Sequence, residues 1–396
     1  MRAQRPGTPT YLRAMNDRHA FERLLAEGPL TRGRLGELTG LSKVTASQLV
    51  ARLARRGLVE VVGTQSGGRG PSAELYAVRP GCRYAVGVDT VLDHVVVAVA
   101  NVAGQEVARV SRPTNETDDP ETLIPALVRE ALVDAEVDAS DVDNVVIGTT
   151  GVVDPDAGDV TFSFDLRRWH RGLHDALSAE LQCDVTIEND VNLAAVAERD
   201  HGAARDVEHM VLFWVGRGVG VAVVLGGQLQ RGATGAAGEV GFLPVPGAPL
   251  PADVASRDAR GGLSGSLQQL IGASAVIELA AAHGIAADDA EGAVRAAIAA
   301  GSPADAFLGE LAKRIALGVA AVCAVVDPSV VVLAGDVGAA ADDKLCKRIS
   351  DEVGHLVPVM PTVVRTAVET DPVLRGALLT AVDKARSNLL AAIAAD

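Results

Sequence analysis

The sequence predicts an α/β fold in two parts, a small helical head closed by a hairpin and a much larger body of strands and helices. Three observations predict it. The chain has 396 residues, more than one hydrophobic core usually serves, which suits a small module joined to a large domain or to two lobes. Hydrophobic residues make up 48% but aromatic residues only 3%, so the core is built from Ala, Val and Leu, as in sheets buried between helices. The charge is also split. Residues 1–80 hold 13 basic and 6 acidic side chains, and the rest of the chain holds 23 basic and 45 acidic, within a formal net charge of -15. A basic head suits phosphates and an acidic body does not. The alternative is a solvated basic tail, against which the helical patterning of the segment speaks.

Other classes are disfavoured. The longest apolar stretch, Ile315 to Val326, stops at Asp327 and Pro328, well short of the ~20 residues that cross a bilayer, so no membrane partner is expected. The N-terminus has no apolar run after its arginines, so no secretory signal is read and the cytoplasm is the expected location. Cys82, Cys183, Cys323 and Cys346 lie far apart, with no paired spacing for a metal or a redox couple, and read as reduced thiols.

In the head, Phe21, Leu24 and Leu25 recur at helical spacing until Gly28 and Pro29 break the pattern. Thr31 can cap a second helix bearing Leu35 and Leu38. Gly40 follows, and Ser42 can cap a third helix running to about Arg55. Two short helices around a Gly-containing turn make a helix-turn-helix. Taking Val44, Leu49 and Leu53 as the buried face, the opposite face presents Ser42, Lys43, Thr45, Gln48 and Arg52 to a DNA major groove, with Thr31 nearby. Lys and Arg neutralise phosphates, and Gln, Ser and Thr can bond base edges or backbone. Leu58 to Val62 forms a strand and Tyr76 with Val78 its return, so the residues between make a wing. Arg69, flanked by Gly68 and Gly70, can enter the narrow minor groove. A flexible linker with an incidental Arg is the rival reading.

The body opens with strands at YAVGVDT, at HVVVAVANVAG and near Glu106 to Val110. A helix from about Pro120 to Ala135 and the strand NVVIGTTG follow. VTIEND reads as a strand entering the helix VNLAAVAERDHGA, and MVLFWVGRGVGVAVVLGG as two strands joined at Gly216, Gly218 and Gly220. IALGVAAVCAVVDP reads as a buried helix and SVVVLAGD as a strand ending at Gly335. Two α/β halves with a cleft between them fit this series.

These residues, in this order, resemble the ROK family (repressor, open reading frame, kinase), in particular its repressor branch. The resemblance rests on the head and on Gly87, Val88 and Asp89 at a first phosphate motif. It continues through Gly148 to Asp154 and through Glu188, Asn189, Asp190 and Asn192. Gly216, Gly218 and Gly220 follow, then Gly232, Gly235, Ala237, Gly238 and Glu239, then Leu333, Ala334 and Gly335. It implies a winged helix-turn-helix over residues 1–80 and, over 81–396, a two-lobed sugar-kinase-like domain of actin/hexokinase type with ribonuclease H-like halves. That domain would bind an effector and form oligomers. Asp190 matches the family's catalytic base, and Asn189 and Glu239 are groups suited to a polyol. The start of a helix favours the ionised form of Asp190. Both residues can equally be plain caps of that helix.

The chain departs from the family where phosphate and zinc would sit. In place of Asp-x-Gly-Gly-Thr it has Asp89, Thr90, Val91, Leu92 and Asp93. Val and Leu resist the close backbone approach that glycine allows, and Asp93 would repel a triphosphate. Positions of the family's zinc ligands hold Phe242, Ala259, Gly261 and Ser266, and its following Glu is Gln268. No metal and no cofactor are therefore expected, and Asp190 is a vestigial base. Phe242 either favours a less polar ligand than a bare sugar or fills space left by the metal. The expected effector-binding set is Asn189, Asp190, Glu239, Phe242 and Gln268. The expected partners are a double-stranded DNA operator, a sugar or related effector, and further copies of the chain as homodimer or tetramer. An active sugar kinase with an appended DNA-binding head is the alternative, and a DNA-binding protein whose body only dimerises is a third reading.

Overall fold

The computed structural model describes residues 7–66, 72–91, 93–114, 118–162, 172–248, 264–358 and 360–395. The head comprises α1 (Pro9–Glu27), β1 (Leu30–Thr31), α2 (Arg32–Thr39), α3 (Lys43–Arg55), β2 (Val59–Gln65) and β3 (Ala73–Val78). Its helices begin where side-chain oxygens satisfy free amides. Thr8 accepts from the Tyr11 amide, Thr31 from Arg34 at 3.1 Å, and Ser42 from Thr45 at 3.2 Å. The strands pair in the order β1-β3-β2. Phe21, Leu35, Leu49 and Leu53 are buried beneath them.

The first lobe begins with β4 (Tyr84–Val91), β5 (His94–Asn101), β6 (Glu106–Pro113), α4 (Pro120–Asp134), β7 (Val142–Thr149) and the short pair β8 (Val152–Val153) and β9 (Val160–Phe162). It continues with α5 (Leu173–Leu181), β10 (Asp184–Asn189) and α6 (Asp190–His201). Its sheet runs β10-β7-β4-β5-β6, parallel from β10 to β4 and antiparallel beyond. The alternation of side chains along β4 separates two faces. Val86 and Val88 pack in one cluster with Leu127 of α4 and Leu177 of α5. Ala85 and Gly87 face the other way, and a Cβ on Gly87 would stand 2.9 Å from the Leu378 amide. Small residues on that face let the last helix lie close to the sheet.

The second lobe holds β11 (Met210–Val215), β12 (Val219–Leu225), β13 (Gln228–Leu229), α7 (Leu267–Ile271), α8 (Ala273–Ala282), α9 (Ala290–Ala300) and α10 (Asp305–Val326). β14 (Val330–Ala334), α11 (Gly335–Ala340), α12 (Asp343–Leu356) and β15 (Thr362–Arg365) complete it. The sheet order is β13-β12-β11-β14-β15. One face carries the core of α7 to α12, including Phe213, Phe307 and Leu311. The other receives Val191, Ala194 and Ala195 of α6, while Leu193 of the same helix packs towards the first lobe. Helix α6 is therefore wedged between the sheets.

The last helix, α13 (Pro372–Ala395), does not belong to one lobe. Its first turns pack on β4, β7 and α6, and its far end, Leu389 and Ile393, is buried in the core of the head with Phe21 and Leu24. No helix among the described residues is long and apolar enough to cross a membrane. All four cysteines are free thiols. Burial pushes Cys82, Cys183 and Cys323 up to about 11 and Cys346 up to about 12.

Candidate functional site

Two regions collect the residues singled out in the sequence, the outer face of α3 and the cleft between the lobes. On α3 the buried positions are Ala46, Leu49, Val50 and Leu53. Val44, taken as buried from the sequence, is instead 68% exposed. At 100° per residue the centre of the outer face is Val44, Gln48, Ala51 and Arg55, with Lys43 and Ser47 exposed to one side. Ser42 and Thr45 are engaged with each other, their hydroxyl oxygens 2.9 Å apart, and Thr31 caps α2. Arg52 lies at the flank, where Nε donates to Asp17 Oδ2 at 2.8 Å. The Arg52 pKa is raised further by that hydrogen bond. Arg69 lies outside the described residues.

The cleft is built where the parallel strands end. Strand β10 runs directly into α6, so Asn189 becomes the helix cap, its oxygen accepting from the Asn192 amide at 3.1 Å. Its Nδ2 donates to the Gly151 carbonyl at 3.0 Å and to Asp190 Oδ1 at 3.1 Å. Asp190 Oδ1 also accepts from the Val191 amide at 2.9 Å. Both capping and presentation to the cleft are thus served by the same pair. Glu188 underpins them. It accepts from the Asn189 amide and from Asn192 Nδ2 through Oε1, and from Arg231 Nε at 2.6 Å through Oε2. Arg231 comes from the second lobe and ties its loop to the end of β10.

That loop brings in Glu239. Gly238 has φ +97°, and a Cβ there would meet the Val221 carbonyl oxygen at 1.8 Å, so only glycine allows the loop to lie on β12. Asp89 continues the Ala85–Gly87 row of β4, and its carboxyl has no hydrogen-bond partner among the described residues. Burial pushes Asp89 up to about 7, with Asp371 adding to the shift and His94 opposing it. Burial likewise pushes Asp190 up to about 7; the hydrogen bond from the Val191 amide opposes this, and the charges of Asp89 and Glu239 add to it. Glu239 is raised by burial. The expectation that the helix start keeps Asp190 ionised is outweighed by enclosure beside two other carboxyls.

Phe242 stands next to this cluster, and its ring meets Phe162 of β9 edge-on, 5.9 Å between centroids. Gln268 turns to the hairpin between β11 and β12, accepting from the Val219 amide at 2.8 Å and donating to the Arg217 carbonyl at 2.7 Å. Both ends of its amide are therefore occupied. Ser266 is buried and bridges to Pro244. Ala259 and Gly261 lie outside the described residues, as does Leu92. Strands β4 and β5 pair antiparallel as far as Val91 opposite His94, and Asp93 projects into solvent 2.6 Å from the His94 ring. At the hairpin between β11 and β12 the Asp336 carboxyl lies 3.3 Å from where a Gly216 Cβ would be. Burial raises its pKa, with Glu291 and Asp289 adding.

Sequence reasoning missed three partners: Asp17 for Arg52, Phe162 for Phe242, and the unpaired Asp89 beside Asp190. The first two are distant in the chain. The alternation of β4 could have revealed the third.

Comparison with known proteins places these regions. A profile described as ROK family matches residues 85–381, and one described as MarR family matches residues 21–70. The xylose repressor of Bacillus subtilis (strain 168) is 26% identical over 246 residues, which are 60% of this chain and 62% of that protein. The match thus spans about three fifths of each chain. Among solved structures, a ROK family transcriptional regulator described as a homologue of the Escherichia coli MLC protein covers 97% of this chain and 99% of its own, with TM-score 0.72 and 17% identity. The ROK hexokinase of Thermus thermophilus covers 77% of this chain and 99% of its own, with TM-score 0.61 and 26% identity.

Proposed function

The chain belongs to the ROK family, and on that premise we propose that it is a DNA-binding transcriptional regulator, a repressor, whose body binds a sugar or related effector. The observation that carries this reading is the course of α13. Its first turns lie against the cleft strands, where a Cβ on Gly148 would press into the Val373 side chain at 2.5 Å. Its end is part of the core of the head. Occupancy of the cleft can therefore bias the head through one continuous helix, and coupling of this kind is reciprocal between effector and DNA. The exposed polar and basic face of α3 supplies the DNA contact. One of the matching relatives is a xylose repressor, which supports repression and a carbohydrate effector.

The effector-binding groups in this reading are Asp190 and Glu239, whose carboxyls bond hydroxyls, and Asn189, whose capping oxygen keeps a second lone pair for one, with Phe242 as an apolar wall. Gln268 shapes the neighbouring hairpin. One head makes too few contacts for a specific site, so two heads of a homodimer, or of a tetramer built from dimers, would read a palindromic operator.

The body carries no kinase activity in this reading. The β4–β5 pair offers a projecting Asp93 where a phosphate loop needs glycine amides, and Asp336 adds a carboxyl beside Gly216. The rival reading, an active kinase, draws on the hexokinase likeness and the retained Asp190. Incubation with Mg-ATP and a panel of hexoses separates them. We expect no turnover, and turnover abolished by Asp190→Asn would establish the kinase. Selection of duplexes from a random pool, with and without candidate sugars, tests the regulator itself. Enrichment of one sequence, weakened or strengthened by one sugar, is the expected outcome.

A further inference from the structure

The outer face of α3 has an apolar side chain at its centre. Val44 is 68% exposed, whereas Leu49, Val50 and Leu53, the other large apolar side chains of the helix, are buried. It sits in the first turn, directly after Lys43 and one turn before Gln48. An exposed β-branched residue gains nothing from packing there and slightly disfavours the helix. The polar groups that would otherwise read bases at this end are committed elsewhere. The Ser42 and Thr45 hydroxyls bond each other and the helix amide, and Arg52 is held by Asp17. The surface that remains to meet base edges is Val44 followed by Gln48, with Lys43 and Ser47 at the side.

We infer that Val44 reads the C5-methyl group of a thymine in the major groove, next to an A·T pair read by Gln48. The inference deepens the DNA-binding reading and rests on it. Among base edges in the major groove only thymine presents a methyl group, so an exposed apolar side chain at the centre of the face selects it. Gln suits adenine, where its amide can pair with N6 and N7 together. The outer face of α3 therefore favours A·T pairs at consecutive positions of each half-site, and Ala51, which follows on the same face, leaves room for close approach of the helix.

The test uses the full-length protein and a duplex selected by it from a random pool. Each thymine of that duplex is replaced in turn by deoxyuridine, which removes the methyl group and nothing else. For the unmodified protein, one replacement per half-site should weaken binding about fourfold, the effect of exposing one methyl-sized group. Val44→Ser should bind the thymine and deoxyuridine duplexes equally, with an unchanged melting temperature because the side chain is exposed. Val44→Thr, which keeps one methyl and the same shape, should retain part of the discrimination. Equal binding of all deoxyuridine duplexes by the unmodified protein, or an undiminished ratio in Val44→Ser, would overturn the inference while leaving DNA binding intact. Failure to select any duplex would instead remove the DNA-binding reading, and the inference with it.

Discussion

Arg52 grips Asp17: Nε donates to Oδ2 at 2.8 Å and Nη2 to Oδ1 at 2.5 Å, and the Asp17 side chain is only 8% exposed. The pair clamps α3 to α1, so a residue expected from the sequence to contact DNA also holds two helices of the head together. Its removal leaves a nearly buried carboxylate without its partner.

Arg52→Ala should accordingly destabilise the head by about 2–3 kcal/mol, the usual loss when one partner of a shielded charge pair is removed. Amide hydrogen exchange in α1 should accelerate while the body keeps its protection. Asp17→Asn should have a milder effect, because the amide keeps one acceptor. Weakened DNA binding with unchanged α1 protection would make Arg52 a direct contact after all.

The cleft carboxyls give a pH dependence with a definite sign. Asp89 and Asp190 are each pushed up to about 7 by burial, above their ordinary value near ~4. Between these limits the folded protein holds protons that the unfolded chain has released, so these groups lower stability as pH rises from about 4 to 7. Asp190→Asn removes one such group and keeps the Oδ1 acceptor for the Val191 amide. The variant should melt several degrees above the unmodified protein at pH 8 and at the same temperature near pH 4. A difference that grows towards acid would contradict this assignment.

How far the sequence foretells this arrangement depends on the range of the interaction. Thr31, Ser42 and Asn189 are legible as caps because a cap is settled within three residues. The phase of α3 is harder to read. An apolar Val44 suggests a core position, but the position that is buried one turn before Val50 is Ala46, too small to stand out in the pattern. Helix α13 escapes notice for a related reason. Ala377, Ala381 and Ala385 face the sheet and Leu389 and Ile393 face the head, so no single apolar stripe marks it. The grip of Arg52 on Asp17 and the meeting of Phe162 with Phe242 depend on how distant segments fold together, and nothing local announces them.

Helix α13 offers a way to separate the stability of the head from that of the body. Leu389→Ala truncates a side chain in the core of the head and should cost it about 2–3 kcal/mol. Exchange should rise in α1 and α3 and remain unchanged in β4 and β7. In Gly376→Ala the new Cβ would fall 1.9 Å from the Leu193 carbonyl oxygen, forcing α13 away from α6. That variant should lower the melting temperature of the body by many degrees and weaken any effect of an effector on DNA affinity. Equal damage to head and body from both changes would mean that α13 does not divide its contacts as described.

Phe242 distinguishes two accounts of the cleft. If its ring, edge-on to Phe162, forms a wall of the effector site, the preferred ligands carry an apolar substituent that the wall shields from water. Phe242→Ala would then weaken binding of alkyl or aryl glycosides about tenfold or more, since burying an aromatic-sized contact contributes roughly 1.5–3 kcal/mol. Binding of the unsubstituted sugars would change little. If the ring only fills space between β9 and the loop before α7, the same variant would lose stability by a cavity effect and weaken all ligands alike. Calorimetric titration of paired glycosides and free sugars, alongside thermal melts, separates these outcomes. We expect the first, because the neighbouring Asp190 and Glu239 already supply the polar contacts of the site and leave the aromatic pair to set the polarity of what binds.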